Sequence, residues 1–547
     1  MAISAAIATT TSFIHPSYDS PFTALHLPSP YPRPAHLRLT VSSSLNSSNP
    51  NNSVSSFSFS TGGGGELHHA LPPPPPSGRG VPVFVTLPVD AVGPETGKVA
   101  RRKAMGASFM ALAAAGVEGV AVEFWWGVVE RDGPGVYDWD GYVDLVRLAR
   151  RHGLKVRAVM AFHQCGSSSS NSGWIPLPRW VLEEMDEEPD LAYSDRFGRR
   201  SHEYISLGCD VLPILKGRSP IQVYSDFMRN FRYTFREFLG LVITDIQVGM
   251  GPAGELRYPS CPTEKLTWPW RVRELGEFQC YDKFMLASLN ACAKLIGMSE
   301  WGSGGPLGAG SLMQNPEETS FFKSDGSWNT PYGRFFLEWY SGLLLHHGER
   351  LCMAAESIFW NTGVRISGKV AGIHWHYGTN SHPSELTAGY YNTFIRDGYL
   401  PIARLFARYK MTLCCTCFDM QDADEEKVNP SSSPEKFLRQ LAFAARMCNI
   451  PLAGENFVTK LDDASLTQVV KSSKLYSSGV YEPSLSFNYV RMNRDLFDSH
   501  NWTRFTRLVK QLSHSRNFQA KLDFGGGEFS CSSTLAAEEV GAAFAYH

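Results

Sequence analysis

Acidic residues are almost absent from the first eighty positions, where only Asp19 and Glu66 occur. The same stretch is rich in Ser and Thr and carries the runs SSSLNSSNPNNS, TGGGGE and LPPPPPSGRG. Such a composition has too few apolar side chains to offset the entropy lost on folding. It also lacks the continuous apolar segment of a secretory signal, while Arg33 and Arg38 are present. An acid-poor, hydroxyl-rich, basic N-terminus reads as an organellar transit peptide. Residues 1–80 are therefore expected to be a disordered transit peptide and linker that direct the chain to the plastid, specifically the chloroplast stroma.

Three further absences narrow the class. No charge of one sign is in excess: 51 Lys and Arg stand against 53 Asp and Glu, net −2, so neither nucleic acid nor an anionic membrane is an expected partner. No long apolar run exists either, because the best window, Met110 to Val129, is broken by Glu118 and Glu123 and spanning a bilayer takes about 20 apolar residues. The 11 cysteines are scattered without the spacing of a disulfide framework or a zinc ribbon, which fits a reducing compartment. No Gly-x-Gly-x-x-Gly or Walker loop joins a strand to a helix, which removes support for a nucleotide-binding open sheet.

What is present from Val81 onward is an alternation of short β-branched runs with amphipathic helical stretches, the pattern of βα units and a parallel sheet. Eight strands are predicted: Val81–Leu87, Val120–Trp126, Lys155–Phe162, Val242–Met250, Lys369–Trp375, Met411–Phe418, Pro451–Asn456 and Leu485–Arg491. Helical patterns accompany them at Tyr142–Arg151, Ile221–Phe238, Leu400–Tyr409, Glu435–Met447 and Trp502–Leu512. Eight such units close into an α/β fold of the TIM type, a (β/α)8 barrel over residues 81–513, followed by a tail at 514–547.

Active sites of this fold sit where the strands end, and the polar residues fall there. Glu123 with Trp125 and Trp126 closes the second strand, His163 the third, and Glu255 follows the fourth. His374 ends the fifth, Thr416 and Asp419 the sixth, Glu455 the seventh and Arg491 the eighth. An isolated loop glutamate is ordinarily a solvated carboxylate. Glu255 and Glu455, both in glycine-rich turns and roughly opposite each other, instead make the pair that acid/base glycoside hydrolysis needs. The tryptophans add flat faces on which sugar rings stack.

Several long segments resemble the plant β-amylases, inverting exo-hydrolases that release β-maltose from the non-reducing ends of α-1,4-glucans such as starch. They are GVEGVAVEFWWGVVE, FHQCG followed by IPLPRWV, EYISLGCD, IQVGMGPAGELRYPS, GEFQCYDK, KVAGIHWHYGT with ELTAGYYN, and PLAGEN. The resemblance implies a (β/α)8 barrel with Glu255 as general acid and Glu455 as general base. It also implies that His163, Lys369, His374, Thr416, Asn456 and Arg491 contact glucan or support catalysis, with Thr416 on an inner loop that holds the leaving sugar. An inverting enzyme keeps its carboxyl groups roughly 6.5–9.5 Å apart so that a water fits between base and sugar, with the acid's pKa raised and the base ionised.

No cofactor is expected. His374, His376 and His382 are close in sequence but lack a third or fourth convergent ligand, so no metal is expected either. Cys414 and Cys417 show a Cys-x-x-Cys spacing, yet residues three apart on a strand point to opposite faces about 10 Å apart, beyond disulfide reach. Buried thiols are the expectation, and the tail is too short for a starch-binding module.

The chain also departs from the family pattern. The lid reads HQCGSSSSNSGW where the family has HQCGGNVGD, placing Asn171 at the closing aspartate. Glu123 replaces a sugar-binding aspartate, Phe457 replaces an alanine beside the base, Cys414 and Cys415 replace Asn-Phe, and Asp419 and Gln421 replace Glu and Arg. These changes lie in the substrate-contacting shell while both glutamates persist. Two functions stay open: a weakened β-amylase, or a non-catalytic relative that binds glucan or a starch-degrading enzyme and regulates starch breakdown.

Overall fold

The computed structural model describes residues 80–513 except 167–173, 262–274, 313, 426, 428, 458–460, 475, 478–479 and 482–483. The expected leader up to residue 79, the tail from 514 and Asn171 lie outside the described residues.

Eight strands form the centre: β1 (Val83–Thr86), β2 (Gly119–Trp125), β3 (Lys155–Ala161), β4 (Ile243–Val248), β5 (Arg365–Lys369), β6 (Thr412–Cys415), β7 (Leu452–Glu455) and β8 (Phe487–Tyr489). Each pairs in parallel with the next, and β8 returns to β1 with Val83 opposite Phe487, so the sheet closes into a barrel. A crossover helix leads from each of the first seven strands to the next, and one more follows the eighth: α1 (Arg102–Ala114), α2 (Asp140–Arg151), α3 (Pro220–Thr234), α4 (Pro331–Phe359), α5 (Leu400–Arg408), α6 (Pro434–Met447), α7 (Asp463–Ser473) and α8 (Ser499–Ser513), with the further helices Arg179–Glu187 and Lys283–Leu295 inserted before α3 and α4. The expected (β/α)8 barrel is therefore the fold.

Strand alternation decides which side chains meet the helices. On β2, Phe124 points outward, stacks on Tyr142 of α2 at 4.6 Å and meets Phe231 of α3 edge-on at 5.0 Å. Burying such a ring contributes about 1.5–3 kcal/mol, and Glu123 and Trp125 on either side are left for the other face. Helix starts are marked locally. Ser219 and Gln222 form a reciprocal capping box with Pro220 at the first turn of α3, and Thr330 caps α4 by accepting from the Gly333 N–H.

One predicted strand is displaced. The fifth was expected at Lys369–Trp375 but occupies Arg365–Lys369, and His374 lies in the loop beyond it. Both halves of RISGKVAGIHW read as extended, but pairing chose the upstream half. Ser367 lies opposite Thr412, and the ladder ends when the Val370 N–H donates to the Cys414 carbonyl. Past that point a Cβ on Gly372 would fall 2.0 Å from Thr416 Oγ1, an approach that no regular strand pair allows.

The barrel interior is unusually polar for this fold, whose centre is commonly filled by Val, Ile and Leu. Arg157, Asp245, Gln247, Ser367 and Asn488 are all buried. Arg157 reaches across the lumen from β3 to donate from Nη2 to Ser486 Oγ at 2.8 Å. Arg365 and Asp245 pair at 2.7 Å on neighbouring strands. These side chains form a charged floor beneath the strand ends.

Candidate active site

Glu255 stands one turn beyond β4, after the 3-10 segment Pro252–Gly254. Ala253 in that turn has φ 53 and ψ 21, a left-handed conformation costing a non-glycine residue roughly 1–2 kcal/mol. Its N–H donates to Glu203 Oε1 at 2.9 Å, and a hydrogen bond to a charged group contributes about 1.5–3 kcal/mol, enough to hold the turn. Gly254, at φ 73, meets the same demand as glycine does without cost. Helix α4 fixes the loop from behind: His347 Nε2 is 3.1 Å from the Met250 carbonyl and Nδ1 is 2.9 Å from the Asp210 carboxylate, which also accepts from Arg350 at 2.9 Å.

Glu455 ends β7, where Gly454 is required for a different reason: a Cβ there would lie 2.2 Å from the Phe418 ring packed against it. Glu455 is buried and its Oε1 accepts from Asn488 Nδ2 at 2.9 Å. Lys369, at the end of β5, joins the two glutamates. Its Nζ is 2.8 Å from Glu455 Oε2 and 3.7 Å from Glu255 Oε1. Those two oxygens are thus no more than 6.5 Å apart, the two contacts laid end to end. Arg257 Nε donates to the other oxygen of Glu255 at 2.8 Å.

Burial opposes charge on Lys369, yet Glu455 and Glu255 raise its pKa above the usual lysine value. Burial likewise opposes charge on Glu455, but Lys369, the hydrogen bonds from Lys369 and Asn488, and the field of Arg157 together lower its pKa. Glu455 is accordingly an ionised carboxylate near neutral pH, as a general base requires.

The other predicted residues that the structure describes lie at or just beyond the same strand ends. Glu123 is held by Arg491 through two parallel bonds, 2.8 Å from Nη1 and 3.0 Å from Nη2, while Nη1 also donates to the Leu87 carbonyl at 2.9 Å. Asn456 clamps the backbone before Arg491, donating to the Val490 carbonyl and accepting from its N–H, both at 2.7 Å. His163 lies edge-on to Trp125 at 5.1 Å. Burial holds its pKa down at about 4, with Glu123 opposing and Arg257, Lys369 and Arg491 reinforcing the shift. His374 donates or accepts through Nδ1 at 2.7 Å from Ser432 Oγ, and burial pushes its pKa down to about 3. His163 Nδ1 and His374 Nε2 are buried with no hydrogen-bond partner among the described residues, so two neutral imidazoles each keep one nitrogen for a ligand. Thr416 is buried directly beyond β6.

The departures from the family pattern are also placed. Phe457 lies edge-on to His374 at 5.9 Å and to Trp375 at 6.2 Å, and its N–H donates to Asp419 Oδ1 at 2.6 Å. Cys414, Cys415 and Cys417 are buried free thiols, and burial raises Cys414 to about 11. Asn171 is not among the described residues, but the segment's ends are pinned by the reciprocal Cys165–Ile175 backbone pair at 2.9 Å. His374, His376 and His382 turn to separate partners: Ser432, Ser384 and Glu385.

Sequence reasoning missed Arg257, Glu203, Asn488 and His347. Arg257 was legible as the cation two residues after Glu255. The other three are recognisable only once strands and helices far apart in the chain have met.

A closed (β/α)8 barrel with a lysine-bridged pair of glutamates at the strand ends defines a protein of the barrel glycosidase type. The Glycosyl hydrolase family 14 profile matches residues 84–517. Beta-amylase 1, chloroplastic, of Arabidopsis thaliana is 53% identical over 445 residues, covering 80% of this chain and 77% of that protein. The protein of the same name from Oryza sativa subsp. japonica is 53% identical over 438 residues, covering 80% and 81%. Among solved structures, the catalytic domain of beta-amylase from Paenibacillus polymyxa matches the fold with a TM-score of 0.64 at 23% identity, covering 79% of this chain and 98% of that one. The chain belongs to glycosyl hydrolase family 14.

Proposed function

We propose that the protein is a β-amylase: an inverting exo-hydrolase that cuts α-1,4-glucans, starch and maltodextrins, from their non-reducing ends and releases β-maltose. The observation that carries the reading is Lys369 bridging Glu255 and Glu455. Glu255 protonates the leaving glycosidic oxygen, and Glu455 takes a proton from the water that attacks the opposite face of the sugar. Lys369 keeps the base ionised, and Asn488 orients it. The unpartnered nitrogens of His163 and His374, with Glu123 and Arg491, offer hydrogen bonds to sugar hydroxyls, and Thr416 and Asn456 complete the mouth. Asn171, in the lid, donates or accepts where the family's aspartate only accepts.

Proton NMR of the purified full-length chain with maltoheptaose tests this directly, because the spectrum reports both product and anomer. β-Maltose appearing before its α anomer is the expected result. α-Maltose first would exclude inversion.

A second reading, a non-catalytic regulator that binds glucan or a starch-degrading enzyme, is favoured by one observation. The Phe457 ring sits against His374 and Trp375 where the family has a methyl group. Absence of any maltose from folded protein that still binds maltoheptaose would select it.

The acid-poor leader and two relatives with chloroplastic in their names support action in the chloroplast stroma. A fluorescent reporter fused behind residues 1–80 is expected to fill the stroma in leaf cells. Cytosolic fluorescence would remove the plastid assignment.

A further inference from the structure

At the opposite end of the barrel from Glu255 lies a cleft of about 760 Å³, lined by Arg229, Arg232, Tyr233 and Arg236 on one side and Ser357 and Asn361 on the other. Its position follows from connectivity. Helix α3 ends at Thr234 and leads into the start of β4, and α4 ends at Phe359 and leads into the start of β5. The volume is that of a small-molecule site, for which roughly 300–1,000 Å³ is usual.

The spacing in MRNFRYTFREF sets Arg229, Arg232 and Tyr233 along one stripe of α3 at i, i+3 and i+4, and Arg236 lines the same cleft from the turn just past the helix end. None of the residues lining the cleft is a carboxylate. Arg229 is paired with Asp226 at 2.8 Å. Arg232 and Arg236 instead donate to carbonyl oxygens, those of Trp360 at 3.5 Å and Tyr233 at 2.9 Å. A guanidinium has five N–H donors, so one such bond leaves most of its capacity unspent. Tyr233 is 70% exposed, with the Arg236 guanidinium 4.8 Å over its ring.

We infer that this cleft binds a hexose phosphate, with the phosphoryl group held by Arg232 and Arg236 and the sugar ring laid against Tyr233. Guanidinium forks match the oxygens of phosphate, and aromatic faces suit sugar rings. The exposed hydroxyl and amide of Ser357 and Asn361 supply partners for sugar hydroxyls. The phosphorylated hexose has two sources, a free sugar phosphate or a phosphate ester carried on a glucan chain. The site is independent of Glu255 and Glu455, so it stands whether or not the chain hydrolyses glucan.

Calorimetric titration of the full-length chain with glucose 6-phosphate, glucose and inorganic phosphate at one ionic strength tests the inference. Saturable binding of glucose 6-phosphate is expected, weakened at least roughly tenfold in Arg232→Gln/Arg236→Gln. Tyr233→Ala should weaken glucose 6-phosphate while leaving inorganic phosphate unchanged. These side chains are on the surface, so equal melting temperatures confirm intact variants. Tighter binding of 6-phosphorylated maltoheptaose than of glucose 6-phosphate identifies the glucan as the source, and equal binding identifies the free ester. No saturable binding up to 10 mM (about −2.7 kcal/mol), or binding that the double variant leaves intact, overturns the site.

Discussion

Glu255→Gln is expected to lower β-maltose release by roughly 10²–10⁴-fold, the usual contribution of a positioned general acid, without unfolding the barrel. Gln has nearly the same shape, and its amide oxygen accepts from Arg257 Nε as the carboxylate does at 2.8 Å. What it lacks is a proton to give the leaving oxygen. That interaction exists only in the transition state, so kcat and kcat/KM should fall together while maltoheptaose affinity stays. Single-turnover rates with the variant, alongside its melting temperature, decide the matter. A variant keeping more than about a tenth of the rate would place the acid elsewhere.

Lys369→Met should have two large and separable effects, because one ammonium serves two carboxylates. Removing one partner of a buried pair typically costs about 3–5 kcal/mol, and the 2.8 Å contact to buried Glu455 is such a pair. The chain should therefore unfold at clearly lower denaturant. The second effect concerns protons. Burial alone would raise the Glu455 pKa, but Lys369, Asn488 and Arg157 together hold it below the ordinary carboxylate value, with Lys369 the largest of the three. A carboxylate of that kind contributes stability above its unfolded pKa and loses it as pH falls through the folded one. Without Lys369, burial prevails and the pKa rises, so the base is protonated at higher pH. The acid limb of the kcat–pH profile should move upward, with Asn488 and Arg157 left to hold the charge. A stability loss with an unmoved acid limb would mean that Lys369 supports the fold but not the base.

Much of this site was legible in order along the chain, because a parallel barrel sorts residues by position. Whatever follows a strand stands at the mouth, so Glu123, His163, Glu255, Thr416, Glu455 and Arg491 were named from strand ends alone, and all lie there. The fifth strand shows the limit of that argument. RISGK and VAGIHW have the same local preferences, and pairing with Thr412 rather than propensity selected the first. Phe457 shows another limit. Its identity suggested an overfilled sugar site, while the structure shows which groups it packs on, His374 and Trp375.

Order of elements, the count of eight strands, and the residue types at each strand end belong to the sequence by itself, since they follow from periodicity and turn chemistry within short windows, whereas closure of the first strand on the last does not. The tertiary structure decided which charges meet. Lys369 reaches Glu255 and Glu455, Arg491 grips Glu123, Arg157 reaches Ser486 across the lumen and His347 braces Met250, each across 86 residues or more. Electrostatic coupling depends on distance in space and on the water excluded between groups. Neither quantity exists along a chain until the barrel has closed.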